Sequence, residues 1–323
     1  MTMKEIISPV PVEAIMEELT LDKFFRKTNN AGNEIYILSA HDSPNIMREI
    51  GRLREISFRD SGGGTGLDCD IDVFDTRDEN YFLQLIVWNP VDRAIVGGYR
   101  FLLCDKLPLD ENGQVDTPTS ELFHYSEKFV KEYLPYTLEL GRSFVQPAYQ
   151  PSKSLSKGMY SLDNLWDGLG SLVDVFPKSK YYFGKVTMYP QLDRTARDMI
   201  LYFMQKHFPD REKLVAPKPE LELPILTDPV QLEAIFTADN YRDNYKTLVK
   251  LVRERGAAVP PLVNAYMNLS PTLRSFGTAL NPGFGKVEET GLLLTIGDMF
   301  EDKARRHLVY DKDATPSHLI QIK

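Results

Sequence analysis

The chain has 323 residues, 42% of them hydrophobic, which is enough for a substantial core and sets disorder aside. A net charge of −8 argues against a general nucleic-acid binder, because phosphate binding needs a basic surface. Two cysteines, Cys69 and Cys104, make no disulfide framework and lack metal-ligand spacing, so the cytoplasm is the natural compartment.

The amino-terminal stretch mixes acids into its apolar residues and lacks the basic region and apolar core of a signal peptide. No run approaches the ~20 apolar residues that cross a bilayer. Ser43 to Arg59 reads as a helix capped by Ser43 with Pro44 at its first position. Ile46, Met47, Ile50 and Leu53 form its apolar stripe, and Arg54 and Phe58, four apart, project together toward one pocket. The following "DSGGGTGLDCD" is too glycine-rich for regular structure and reads as a mobile loop. Its Gly62–Gly66 run lacks the Lys-Ser/Thr of a phosphate-binding loop.

"YFLQLIVW" and "AIVGGYRFLLC" are strand-like and joined by a hairpin at "NPVDR". Then come a helix from Ser120 to Lys131, the strand "YTLELGRSFV", a helix from Leu162 to Val175, the strand "YYFGKVTMY" and an amphipathic helix from Arg194 to Phe208. The chain turns irregular after Pro209 and resumes with the helix "NYRDNYKTLVKLVRER". Residues 209–258 therefore read as an insertion or joint within a single domain, 1–323. A helix in "VPPLVNAYMNLS" and strands in "TLRSFGTAL" and "TGLLLTIG" complete an α/β chain.

Charged residues sit inside apolar segments, where an unpaired charge costs several kcal/mol, so they should meet one another or a ligand. They are Arg54, Asp72, Asp75, Arg100, Glu139 and Arg142. Strict strand alternation places Glu139 and Arg142 on opposite faces, unless a β-bulge near Gly141 turns one toward the other; a plain salt bridge within the sheet is the alternative. Asp72 and Asp75 suit either an amino group or Arg54 and Arg100, with Asp70 as another register and a solvated acidic loop as the bland reading. Arg100 asks for a bidentate carboxylate. The acidic run lacks a calcium-binding loop. None of His41, His124, His207, His307 and His318 adjoins a nucleophile in a known motif; Cys69 adjoins the acidic run, and Ser143 lacks a nucleophile elbow.

The order Arg54-x-x-x-Phe58, Asp72-x-x-Asp75, Arg100 on a strand and Glu139-x-x-Arg142 resembles the acyl-homoserine-lactone synthases. "LELGRSFVQPAYQ" and "PPLVNAYMNL" look closer to the N-acyltransferases that begin ornithine-lipid and glycine-lipid synthesis, and "EIGRLREISFRDSGGGTG" looks closest to the glycine-lipid enzymes. The resemblance runs from Glu34 to His307. It implies a GNAT acetyltransferase-like fold, with a mixed, largely antiparallel central sheet flanked by helices. It also implies transfer of a long 3-hydroxyacyl chain from acyl carrier protein to the α-amine of a small amino acid, glycine first and ornithine next. Glu139, Arg142 and Arg100 would then be catalytic, and Arg54, Phe58, Asp72 and Asp75 substrate-binding. No cofactor or metal is implied, since the acyl carrier thioester is itself the donor substrate. A lipid product implies peripheral contact with the inner membrane from the cytoplasmic side.

The usual acetyl-CoA motif is replaced by "VQPAYQPSKSLSKGMYSLDNLW", which favours a carrier-protein donor. Lys153, Lys157, Lys178, Lys180 and Lys185 are candidates for the basic surface such a donor needs. The other readings are a signal synthase using S-adenosylmethionine, which the long extension past Tyr189 disfavours, and a catalytically silent module that binds acyl carrier protein or lipid.

Overall fold

A computed structural model describes residues 3–309. In chain order the elements are α1 (Val12–Glu18), β1 (Phe24–Lys27), β2 (Glu34–Leu38), α2 (Pro44–Asp60), α3 (Val73–Thr76), β3 (Leu83–Asn89), β4 (Ala94–Leu103), β5 (Phe123–Tyr125) and β6 (Thr137–Val145). Then follow α4 (Leu155–Gly158), α5 (Ser161–Val175), β7 (Tyr181–Met188), α6 (Arg194–His207), β8 (Val215–Pro217), α7 (Pro229–Ile235), α8 (Tyr241–Glu254), α9 (Pro261–Met267), β9 (Arg274–Asn281), β10 (Val287–Thr295) and α10 (Glu301–Leu308). The chain forms two compact units. One comprises the described residues before Asp105, Leu138–Ser179 and the segment from Glu301; the other comprises Asp105–Thr137 and Lys180–Phe300.

In the first unit β1, β2, β3, β4 and β6 pair antiparallel in that order. The registers Gln84↔Arg100, Arg100↔Gly141 and Leu102↔Glu139 put Gln84, Arg100, Gly141 and Glu139 on one face. Leu85, Tyr99 and Phe101 occupy the other. α2 covers the polar face, since its Arg54 reaches Gln84, and buries Ile46, Met47, Ile50 and Leu53. α5 covers the apolar face, where Gly168 packs against Leu85 and Tyr99 and where Phe176, just past the helix, meets Phe101 edge-on at 5.9 Å. A sheet covered on both faces needs strands apolar nearly throughout, as the wording of β3 and β4 shows. Gly97 and Gly98 let β4 press close to its neighbours, because a Cβ there would lie 2.4 Å from the Phe144 carbonyl oxygen and 2.5 Å from that of Leu85.

In the second unit β7, β10 and β9 pair antiparallel, with Lys185 opposite Gly291. α6 packs against α8 through Phe203, whose ring lies 5.4 Å from Tyr241 and 6.0 Å from Tyr245. Residues 209–258 contribute β8, α7 and α8. Both units are helix-flanked and their registers antiparallel, which is the α/β class and largely antiparallel sheet expected.

The structure corrects two local expectations. The helix expected over Ser120–Lys131 forms only from Glu127 onward, continuing as a wider turn over Phe129–Tyr133; ahead of it Phe123 and Tyr125 are buried around exposed His124, an alternation that forms β5 and pairs it with β8. Ser43 does not cap α2 with its side chain, which bonds Asp42 instead. The carboxylate of Glu18 does that work, accepting from the backbone N–H groups of Asn45 at 3.0 Å and Ile46 at 2.8 Å. His318 lies outside the described residues. Among those residues no helix is long and apolar enough to cross a membrane.

Glu18→Ala is expected to lower stability by about 1 kcal/mol, the usual worth of a helix cap, read from the midpoint of urea denaturation. An unchanged midpoint would return the capping role to Ser43.

Candidate active site

Three guanidinium groups and three carboxylates interlock within the first unit. Arg54, fully buried on α2, donates to Asp75 at 3.1 Å and to Gln84 at 2.6 Å. Gln84 turns its amide nitrogen to the same aspartate at 2.9 Å. Arg100, from β4, spans Asp75 at 3.1 Å and Asp72 at 2.7 Å, and its guanidinium lies over the Phe82 ring at 4.9 Å. Arg142 pairs with Asp70 at 2.9 Å and approaches Asp72 at 3.7 Å. The sequence is thus Arg54, Asp75, Arg100, Asp72, Arg142, Asp70, and the backbone carbonyl of Asp70 returns to Arg54 at 3.4 Å.

Local structure explains how a loop supplies the acids. Asp72 caps the short α3, accepting from the Phe74 N–H, while the Asp75 carboxylate accepts from the Asp72 N–H at 3.3 Å. This reciprocal capping holds both carboxylates in place independently of their arginine partners. On β6 the expected bulge is present. Arg100 opposes Gly141 and Gly98 opposes Phe144, so Arg142 and Ser143 together face Tyr99 alone. Arg142 takes a left-handed conformation, φ 52°. An L-residue there costs roughly 1–2 kcal/mol, and the return is a side chain swung onto the face of Asp70 and Asp72.

Glu139 is 1% exposed on the same face as Arg100 and Gly141, so the sequence-derived carboxylate lies beside the network rather than behind it. Phe58 is buried one turn beyond Arg54, and its carbonyl oxygen accepts from the N–H groups of Ser61 and Gly63 at the end of α2. Exposure rises along the network. Arg54 and Asp75 are at 0%, whereas Arg142 reaches 18% and Asp72 30%. The network is sealed under α2 and opens at its Asp72–Arg142 end.

Comparison with known proteins places this architecture. Residues 53–159, which carry every member of the network and Glu139, match the model of the Acetyltransferase (GNAT) domain. The chain is 54% identical over 306 residues to the glycine N(alpha)-acyltransferase of Phocaeicola vulgatus, covering 95% of this chain and 93% of that protein. It is also 54% identical over 306 residues to the glycine N(alpha)-acyltransferase of Bacteroides thetaiotaomicron, covering 95% and 90%. The chain belongs to the glycine N(alpha)-acyltransferase family.

It is accordingly an N-acyltransferase of the GNAT fold, and the electrostatics of its network follow from burial and pairing. Burial alone raises the Asp75 carboxyl, but the Arg54 and Arg100 guanidiniums overcome it and hold the group at about 2. Burial draws Arg54 down against the pull of Asp75. For Arg100 the same burial is outweighed by Asp75 and Asp72, and its pKa rises. Both guanidiniums stay charged. The thiol of Cys69, which adjoins the acidic run, is pushed up to about 11 by burial and by the neighbouring Asp70 charge, so it stays protonated at neutral pH.

The acyltransferase also differs from the sequence expectation at its glycine loop. Glu55, fully buried on α2, accepts from the Thr65 N–H at 3.1 Å, the Thr65 hydroxyl at 2.8 Å and the Gly66 N–H at 2.7 Å. The loop is pinned rather than loose, and the backbone of Lys4 and Ile7 runs alongside it. Glu55 and Gln84 escaped the sequence analysis. Gln84 is a polar residue inside an otherwise apolar strand, the same signal that exposed Arg100, whereas Glu55, with Arg52 and Arg59 as helical neighbours, reads as part of a solvated face. Helix α5 lies on the face opposite the network. Of the lysines considered as a docking surface, Lys157 is engaged by Asp92 at 2.7 Å, and Lys185 by the Pro118 carbonyl at 2.9 Å.

Asp75→Asn strands two buried arginines and is expected to cost about 3 kcal/mol or more in urea denaturation. The folded-state pKa of Asp75 is depressed, so its contribution is complete above the ordinary carboxylate value of about 4 and is lost as pH falls to about 2. The variant should therefore show a flatter stability profile across that window. A parental acid profile would place the acid-sensitive group elsewhere.

Proposed function

We propose that this N-acyltransferase moves a long, 3-hydroxylated acyl chain from acyl carrier protein to the α-amine of glycine, giving an N-acylglycine as the first intermediate of an aminolipid. The observation that carries the acceptor is the open end of the network. It presents one cation, Arg142, and one anion, Asp72, 3.7 Å apart and both partly exposed. An α-amino acid zwitterion has the matching pair, its carboxylate for Arg142 and its ammonium for Asp72. Glycine leads over ornithine because the relatives carry glycine in their names.

In this reading the amine loses its proton to Glu139, directly or through water, since an α-amine with a pKa near 8 is mostly protonated at neutral pH. The amine nitrogen then attacks the thioester carbonyl; the new C–N bond forms, the C–S bond breaks, and the carrier thiol leaves with a proton. The bulge at Arg142 and Ser143 withdraws backbone from the β4 ladder, at the point where an N–H group would meet the developing oxyanion. Arg100 and Arg54 hold the two aspartates in place and keep the region electrically balanced. A thioester is already activated, so positioning and charge stabilisation suffice and no cofactor is called for.

A carrier-protein donor is supported by the segment after β6. In place of a glycine-rich phosphate cradle it forms a tight turn at Pro147–Tyr149 and then the short α4, fastened by Tyr149 and Lys157 to Asp92 at 2.6 and 2.7 Å. The product's acyl chain makes peripheral contact with the membrane part of the same reading.

The test is to incubate purified protein with 3-hydroxyacyl carrier protein, or the matching acyl-CoA, and a panel of amino acids, and to identify products by mass spectrometry. N-acylglycine formed from the carrier-protein donor is expected; its absence, with another acceptor acylated, would overturn the reading. Glu139→Gln and Arg142→Gln should each reduce turnover by about 10²-fold or more while circular dichroism stays parental. Near-parental turnover in a folded variant would remove that residue from the chemistry.

A further inference from the structure

Helix α8 is amphipathic in an uncommon sense. Asn244, Leu248 and Val252 are its buried face. At 3.6 residues per turn, Arg242, Lys246, Lys250 and Arg253 fall on the opposite side, within about a quarter of the helix circumference and over roughly 16 Å of its length. All four are exposed. The two acids of the helix, Asp243 and Glu254, lie at one border of this stripe, where they meet Lys246 at 2.8 Å and Lys250 at 3.9 Å. Half-buried Val249 sits among the cations, and an open groove of about 630 Å³ runs along Tyr245, Lys246, Val249, Lys250, Arg253 and Glu254.

We propose that this face of α8 is an interfacial docking surface for an anionic lipid bilayer, holding the enzyme where its amphiphilic product is discharged. The inference rests on the proposed product. Charge complementarity chooses the occupant: a chain of net charge −8 is repelled by anionic headgroups except where cations are gathered, and α8 gathers four in three turns. A protein partner of standard affinity needs a central apolar or aromatic anchor, and this stripe offers only the half-buried Val249 and Tyr245. A polybasic surface needs none, because each cation close to an anionic bilayer adds attraction by itself. Contact is therefore electrostatic, shallow and reversible.

The test is flotation of the purified full-length protein with vesicles of phosphatidylcholine alone or with 30 mole per cent phosphatidylglycerol. Binding is expected only to the anionic vesicles, and it should weaken as salt is raised. The quadruple variant Arg242→Gln, Lys246→Gln, Lys250→Gln, Arg253→Gln should lose at least tenfold in vesicle binding, while its circular dichroism and its transfer to glycine from the carrier-protein donor in vesicle-free solution stay parental. No binding by the parent, or equal binding by the variant, would overturn the proposal. A vesicle-independent rise in KM for the carrier protein in the variant would also overturn it, making the stripe a protein-docking face. If the parent binds vesicles but acylates no amino acid, the proposed reaction fails while the surface stands.

Discussion

Everything in the first unit is arranged so that Arg100 can be buried. A guanidinium at 1% exposure is tolerable only when its charge is answered, and Arg100 takes two carboxylates at once, Asp72 and Asp75. Those two would repel each other without it. Asp75 is shared with Arg54, and Asp72 with Arg142, so removing any member leaves an uncompensated charge on its neighbour. α2, α3, β4 and β6 are thereby tied by ionic contacts whose geometry admits little tolerance, whereas the apolar face under α5 is held by packing.

That constraint connects stability to chemistry. The sealed end of the network, Arg54 and Asp75, is architecture; the open end, Asp72 and Arg142, is where the proposed reaction seats its acceptor. The bulge joins the two ends, because it costs backbone strain at Arg142 and returns a cation on the face of Asp70 and Asp72. Glu139 reaches that face by ordinary alternation and needs no distortion.

Much of this was legible in the sequence, because charges in apolar runs must be accounted for. Arg54, Asp72, Asp75, Arg100, Glu139 and Arg142 all announced themselves that way, and strict alternation left a bulge near Gly141 or a plain salt bridge as the two readings of the last pair. The bulge residue was less legible: glycine was the obvious candidate, yet Arg142 carries the positive φ. Partners supplied from far along the chain were not readable. Nothing local to Glu18 says that it caps a helix 27 residues away, and nothing local to Gln84 says that Arg54 lies above it. Strand β5 was missed because "ELFHY" satisfies helical and strand patterns equally well, and only pairing with β8 decides between them. The glycine loop was read as mobile because composition reports freedom, while Glu55, which removes it, is ten residues upstream.

The central claim is that one cation at the mouth of a buried ionic network selects an acceptor bearing a carboxylate. Its most direct test is the ratio of kcat/KM for glycine over glycinamide, which keeps the amine and loses the carboxylate charge, measured in the parent and in Arg142→Gln. The account predicts a ratio of roughly 10²-fold in the parent, the worth of a charge-assisted bidentate contact, collapsing toward unity in the variant. Equal use of both acceptors by the parent, or a preference that survives the substitution, would contradict it.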